Sequence, residues 1–227
     1  MNYYGFAFPV RAWLAGRDFA HHPAQLSTAD FERWLSEARA RIPYANQLTQ
    51  LNLLDSHDVS RFLTAVAGDV RLMQLAVTLL LTYAGVPSIY YGDEIGLEGG
   101  DDPDCRRCFD WDRTHWNAAL HAHYRQLIAW RQRRPELRRG AYQTLAVAGD
   151  ALVFARYLED QVAIVAINRG AAPVTIAVPL EQLPLEIAHW HSPDGQAARP
   201  DRLALPGFGQ LVVFGDATQF VAPPSHA

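Results

Sequence analysis

A His-Asp pair, His57-Asp58, stands at the end of an apolar run, Leu48-Thr-Gln-Leu-Asn-Leu-Leu54. A carboxylate delivered this way to the rim of a sheet can stabilise positive charge developing at a reacting carbon, and the imidazole can donate to a bound hydroxyl. The plainer readings are an N-cap by Asp58 for a helix beginning near Val59, and a packing role for His57. A second apolar run, Val86 to Tyr91, ends in Gly92-Asp93-Glu94. Two strand ends bearing Asp58 and Glu94 would suffice for the paired acid and nucleophile of a glycosidase. The Gly- and Asp-rich stretch from Glu98 to Asp112 holds Asp102 and Arg106 four residues apart. Together, a carboxylate and a planar guanidinium can grip neighbouring sugar hydroxyls, or simply pair with each other in solvent.

Cys105 and Cys108 form Cys-x-x-Cys, which on its own invites a zinc or redox reading. Zinc needs two further ligands. His115, His121 and His123 follow, but His121 and His123 lie two apart on an expected helix and face different directions. Asp101-Asp102-Pro-Asp104 lacks the spaced ligands of a calcium loop. The expectation is therefore an ordinary reduced pair, no metal and no cofactor.

The elements that would position these groups alternate. Asn2 to Phe8 reads as a short aromatic strand. Ser27 offers an N-cap for a helix to about Arg41, which Pro43 stops. Leu48 to Leu54 reads as a strand and Asp69 to Tyr83 as a helix, with Leu72, Leu75, Ala76, Leu79 and Leu80 at helical spacing. Val86 to Tyr91 is the next strand, and Trp116 to Arg134 an amphipathic helix ended by Pro135. That order is the pattern of parallel α/β units. After Arg139 short β-branched runs follow, around 151–157, 161–168, 174–178 and 210–214, separated by turn signals such as Gly149-Asp150 and Asp194-Gly195. They read as a small antiparallel domain over 140–216, with 217–227 as a flexible tail.

Composition narrows the function further. The 227 residues carry a net charge of −4, which gives no reason to expect nucleic acid or an anionic membrane surface. All 20 basic residues are arginine, so no lysine-based Schiff base or P-loop is possible. Two cysteines cannot build a disulfide scaffold. The start of the chain shows no basic region followed by an apolar core, and the long apolar stretch Met73–Tyr91 is broken by Gln74, Thr78, Thr82 and Gly85-Val-Pro. A cytoplasmic location without membrane contact is expected.

Asn52-Leu-Leu-Asp-Ser-His57-Asp58 and Gly85-Val-Pro-Ser-Ile-Tyr-Tyr-Gly-Asp-Glu94 together resemble the alpha-amylase superfamily, in the branch of maltodextrin glucosidase, neopullulanase and cyclomaltodextrinase. The resemblance implies the last three βα units of a (β/α)8 barrel over residues 1–139, then a β-sandwich. It implies retaining hydrolysis of α-1,4-glucosidic bonds in maltodextrins. Asp58 would be the transition-state-stabilising carboxylate, His57 a sugar-binding donor, and Asp102 and Arg106 the contacts to the adjacent glucose. It also assigns Gly92-Asp93-Glu94 to support of the barrel top, and places the family's nucleophile and general acid upstream of this chain's first residue. On that basis the chain would be inactive alone, with the missing part of the barrel as a partner. The alternative is a non-catalytic truncated or split-subunit sugar-binding fragment.

Overall fold

The computed structural model describes residues 1–220 of the chain, with side chains described through residue 217. The first element differs from expectation. Tyr3–Ala7 is a π-helical turn running into helix α1, Phe8–Ala15. Asn2 caps the turn by accepting from the Gly5 amide at 3.0 Å, and Pro9 sits in the first turn of α1, where a missing N–H costs nothing. Phe6, Val10 and Trp13 fall at helical spacing and are fully buried. That burial overrides the β-propensity of the aromatic run.

Helix α2, Thr28–Ala40, starts at the expected cap, with the Ser27 hydroxyl accepting from the Asp30 amide at 3.1 Å. A one-turn helix α3, Tyr44–Gln47, ends just before the expected strand 48–54, and the turn at Leu48-Thr49 that closes it leaves strand β1 as Leu51–Asn52. Two helices follow, α4 at Phe62–Ala65 and α5 at Val70–Thr82. Strand β2, expected to reach Tyr91, is only Val86–Pro87 and pairs parallel with β1, Leu51 opposite Val86. Pro87 has no N–H to extend a ladder. Helix α6, Ala118–Arg133, is capped by Asn117, and α7, Pro135–Arg139, follows at once.

Strands β3 (Ala141–Ala148), β4 (Ala151–Leu158), β5 (Gln161–Asn168), β6 (Val174–Ala177), β7 (Leu185–His191), β8 (Arg202–Leu205) and β9 (Gly209–Phe220) complete the fold. Five form an antiparallel sheet in the order β3-β4-β5-β9-β7, and β6 pairs with β8 separately. Strand β9 continues through Phe220, so residues 217–220 pair with β7 where a flexible tail was expected. The remainder of that tail, 221–227, lies outside the described residues.

The five-stranded sheet is buried on both faces. Leu152, Phe154, Ala163, Val165, Ile167, Val212 and Phe214 join one core with Trp13, Phe31, Leu79, Leu80 and Tyr124 from the helices. Their alternates Val153, Ala155, Val162, Ile164 and Ala166 join a second core with Ile176, Leu203 and Leu205 of the β6–β8 pair. This explains why β4 and β5 read as continuous apolar runs rather than alternating ones. A buried arginine of the sheet ties it to the helices, and a second one braces the helical half within itself. Arg156 of β4 donates to the Thr82 and Gly140 carbonyls at 2.6 and 2.8 Å, and Arg131 of α6 to those of Leu81 and Leu137 at 2.9 and 2.8 Å.

Candidate functional site

The loop after β1 turns polar within four residues. Leu53, Leu54, Asp55 and Ser56 are buried, whereas the side chains of His57 and Asp58 are 54% and 57% exposed. The chain reverses there in a turn that the Ser56 hydroxyl supports by accepting from the Asp58 amide at 3.1 Å. Tyr3 braces the same hydroxyl at 3.0 Å. Below, Asn52 is held by Asn2 at 2.8 Å and donates to the Ala84 carbonyl at 2.8 Å, fixing β1 against the end of α5. His57 Nε2 lies 3.0 Å from Asp58 Oδ1, so imidazole and carboxylate present themselves together to solvent. Asp58 caps no helix; the next one, α4, begins after Arg61 without a side-chain cap.

The second strand end behaves differently. Asp93 is buried, and its Oδ1 accepts from Arg61 Nη1 at 2.9 Å. Glu94 turns back to accept from the Gly92 amide at 2.8 Å. Asp93 is thus withdrawn from solvent, and half-buried Glu94 has one oxygen engaged by the backbone of its own turn. Asp55, which the sequence reading passed over, is also buried, and its Oδ2 accepts from the Phe62 amide at 2.6 Å. Burial, opposed by a hydrogen bond from Asp93 and the Phe62 amide, pushes the Asp55 carboxyl up. Burial and the neighbouring Asp55 charge push Asp93 well above the usual carboxylate range, with Arg61 opposing. Two carboxyls and one guanidinium so close together in a dry place titrate as a set, with both acids raised.

The 98–112 loop folds over this cluster. Asp101, Asp102 and Asp104 each meet a basic side chain. Arg106 Nε donates to Asp102 Oδ1 at 2.5 Å, Arg107 Nη2 to Asp104 Oδ2 at 2.7 Å, and His21 Nε2 lies 2.7 Å from Asp101. The Asp102–Arg106 pair is about half exposed, so both partners stay within reach of a ligand. Cys105 and Cys108 are separate free thiols, the first buried and the second exposed. His121 and His123 diverge: His121 packs on Trp116, whereas His123 Nε2 sits 3.0 Å from the Thr78 hydroxyl. No cluster of three potential metal ligands occurs among the described residues. Trp111, 82% exposed beside Phe109, is a further residue the sequence reading left unused; its signal was an aromatic pair, Phe-Asp-Trp, in a loop otherwise made of small and charged residues.

Contacts to the loop join the two predicted groups. Cys105 Sγ donates to the His57 carbonyl at 3.3 Å, and Arg61 donates Nε to the Cys105 carbonyl at 3.0 Å. His57 and Asp58 thus stand on one side of a buried joint, Asp102 and Arg106 on the other. An apolar hollow of about 630 Å³, lined by Phe8, Phe19, Leu26 and Trp34 among others, includes none of the four.

A family model described as the alpha amylase catalytic domain matches residues 1–140. A cyclomaltodextrinase from Geobacillus thermopakistaniensis (strain MAS1) is 39% identical over 158 residues, covering 69% of this chain and 27% of that protein. Neopullulanase 2 from Thermoactinomyces vulgaris is 44% identical over 145 residues, covering 61% and 25%. Among solved structures, the native debranching enzyme of Nostoc punctiforme superposes with a TM-score of 0.79 at 36% identity, covering 94% of this chain and 47% of that one. The chain therefore spans about a quarter of the curated relatives' length and under half of the solved structure's. With the family model matching well over half of its residues, the chain belongs to the alpha-amylase family.

Proposed function

We propose that this chain supplies one wall of the active site of a retaining glycosidase acting on α-1,4-linked glucose oligosaccharides. Asp58 is the carboxylate that stabilises the oxocarbenium-like transition state, and His57 donates to the sugar in the same subsite. Asp102 and Arg106 hold the neighbouring glucose by hydrogen bonds to adjacent hydroxyls. The observation that carries the reading is the contrast among the strand-end acids. Asp58 is exposed beside His57, whereas Asp55 and Asp93 are buried on Arg61, and Glu94 is spent on the Gly92 amide. The burial of Asp55 and Asp93 and the backbone contact of Glu94 favour a nucleophile and general acid from another segment. The division into a barrel portion, 1–139, and a β-sandwich, 140–216, belongs to the same proposal. So does a cytoplasmic location, for which the two free thiols speak.

The experiment is twofold. Purified chain incubated with maltotriose should release no glucose above a blank. The DNA upstream of the Met1 codon should carry, in frame, an Asp-Val-Ala-type strand motif, and the protein expressed from it should hydrolyse maltotriose in a manner that Asp58→Asn abolishes. Glucose release by the 227-residue chain itself would overturn the reading.

A further inference from the structure

Arg61 is a fully buried arginine whose donated hydrogen bonds all cross a gap between segments. Its amide donates to the Gly99 carbonyl at 2.9 Å, Nε to the Cys105 carbonyl at 3.0 Å, and Nη1 to Asp93 Oδ1 at 2.9 Å. The guanidinium plane is covered by Tyr90 and Tyr91, with ring centroids 4.4 and 4.9 Å from Cζ. Gly99 is needed at the closing point: a Cβ there would stand 2.6 Å from the Asp104 carbonyl oxygen and 2.9 Å from Cys105 Cα. Its amide is held by the Thr64 hydroxyl at 2.9 Å. The loop returns the contact, since Cys105 Sγ reaches the His57 carbonyl at 3.3 Å.

We infer that Arg61 is a positioning residue, a clasp that fixes the loop bearing Asp102 and Arg106 relative to the turn bearing His57 and Asp58. Three chemical facts require arginine there. The planar fork reaches a carbonyl and a carboxylate at once, a geometry that a lysine ammonium on its flexible stem does not reproduce. The charge neutralises Asp93 in a dry environment. The guanidinium lies against the faces of the adjoining Tyr90 and Tyr91 rings. Arg61 lies three residues after Asp58, so its backbone belongs to the same turn and a shift in the clasp is passed directly to the acid. The consequence for ligand binding rests on reading those four residues as saccharide contacts.

Cys105 reports the clasp independently of ligand, because it is fully buried under it while Cys108, three residues on, is exposed. In native full chain, iodoacetamide should modify Cys108 quickly and Cys105 slowly. Arg61→Gln should raise the Cys105 rate by about tenfold or more while the thermal transition remains cooperative, since labelling follows the population of the open loop. Arg61→Lys should fall between, and it carries the test alone if Arg61→Gln does not fold. Phe154→Ala, a destabilising change in the distant sheet, is the control for global unfolding. Cys105 as protected in both Arg61 variants as in the parent, or opened as far by Phe154→Ala, would overturn the clasp. Isothermal titration with maltotriose reads the other half: affinity should fall in Arg61→Gln, and Asp102→Ala should cost less on that background than on the parent. Thiol opening with unchanged maltotriose affinity would leave the clasp standing and remove the saccharide role of Asp102 and Arg106.

Discussion

Asp93 meets Arg61 at 2.9 Å in an ion pair from which water is almost wholly excluded, the two side chains being 4% and 0% exposed. A charge so placed depends on its partner, and removing one member leaves the other uncompensated. Asp93→Ala should therefore lower stability by about 3–5 kcal/mol, a cost usual for breaking a buried pair. Asp93→Asn, which keeps the shape and an acceptor for Arg61, should cost less. Urea unfolding of the three proteins checks the order.

The pair formed by Asp55 and Asp93 sets a pH dependence whose sign is the reverse of an ordinary salt-bridged carboxylate. Both carboxyls are raised, so the folded chain keeps a proton that the unfolded chain releases near pH 4. Between that pH and the raised folded values, the unfolded state binds fewer protons, and stability from this pair falls as pH rises. Asp55→Asn retains an acceptor for the Phe62 amide but removes one ionisable group, so the fall should flatten. Melting temperatures measured in steps upward from pH 4 would show an unchanged slope if the pair does not titrate as a set.

His123 gives the opposite slope. Burial lowers its folded pKa below the ordinary imidazole value. Below that ordinary value the unfolded chain takes up a proton the folded chain refuses, so stability is lost as pH falls through about 6.5. His123→Gln should remove this loss; a melting curve with the parent's acid slope would show that the imidazole is not held neutral against Thr78.

In the longer enzyme proposed above, Asp58→Asn should lower kcat far more than it raises KM, because the lost charge acts on the transition state. Asp102→Ala and Arg106→Ala should chiefly weaken binding, by about 1–3 kcal/mol each. Glu94→Gln, which keeps an acceptor for the Gly92 amide, should leave both constants near the parent's. Steady-state kinetics on maltotriose separate the three patterns, and one pattern shared by all would remove the division of roles.

Much of this arrangement was readable beforehand where local chemistry decides it. Ser27 and Asp69 cap helices where short polar side chains precede apolar periodicity, and the β-branched runs after Arg139 became strands. Residues 2–8 form no strand because Phe6, Val10 and Trp13 are spaced so that only a helical chain buries them on one side. The strands at 48–54 and 86–91 came out short because each has only the other to pair with among the described residues. His57 and Asp58 could be singled out from their abrupt polarity after an apolar run. Arg61 and Asp55 could not, since nothing in the local sequence distinguishes a buried charged side chain from a solvated one; the side-chain partners of Arg61 lie 32 and 44 residues away.

The five-stranded sheet imposes an order on synthesis. Helices α5 and α6 emerge from the ribosome first, yet the apolar side chains that cover them sit on β4, β5 and β9, and the last of these begins at Gly209. Trp130 and Arg134 wait for Phe214, which meets the one edge-on at 6.0 Å between centroids and lies 4.4 Å from the guanidinium carbon of the other. A nascent chain released before β9 would hold its helical half with an uncovered greasy flank, the kind of species that chaperones bind. Addition of β9 is therefore the step that covers this flank of the helices.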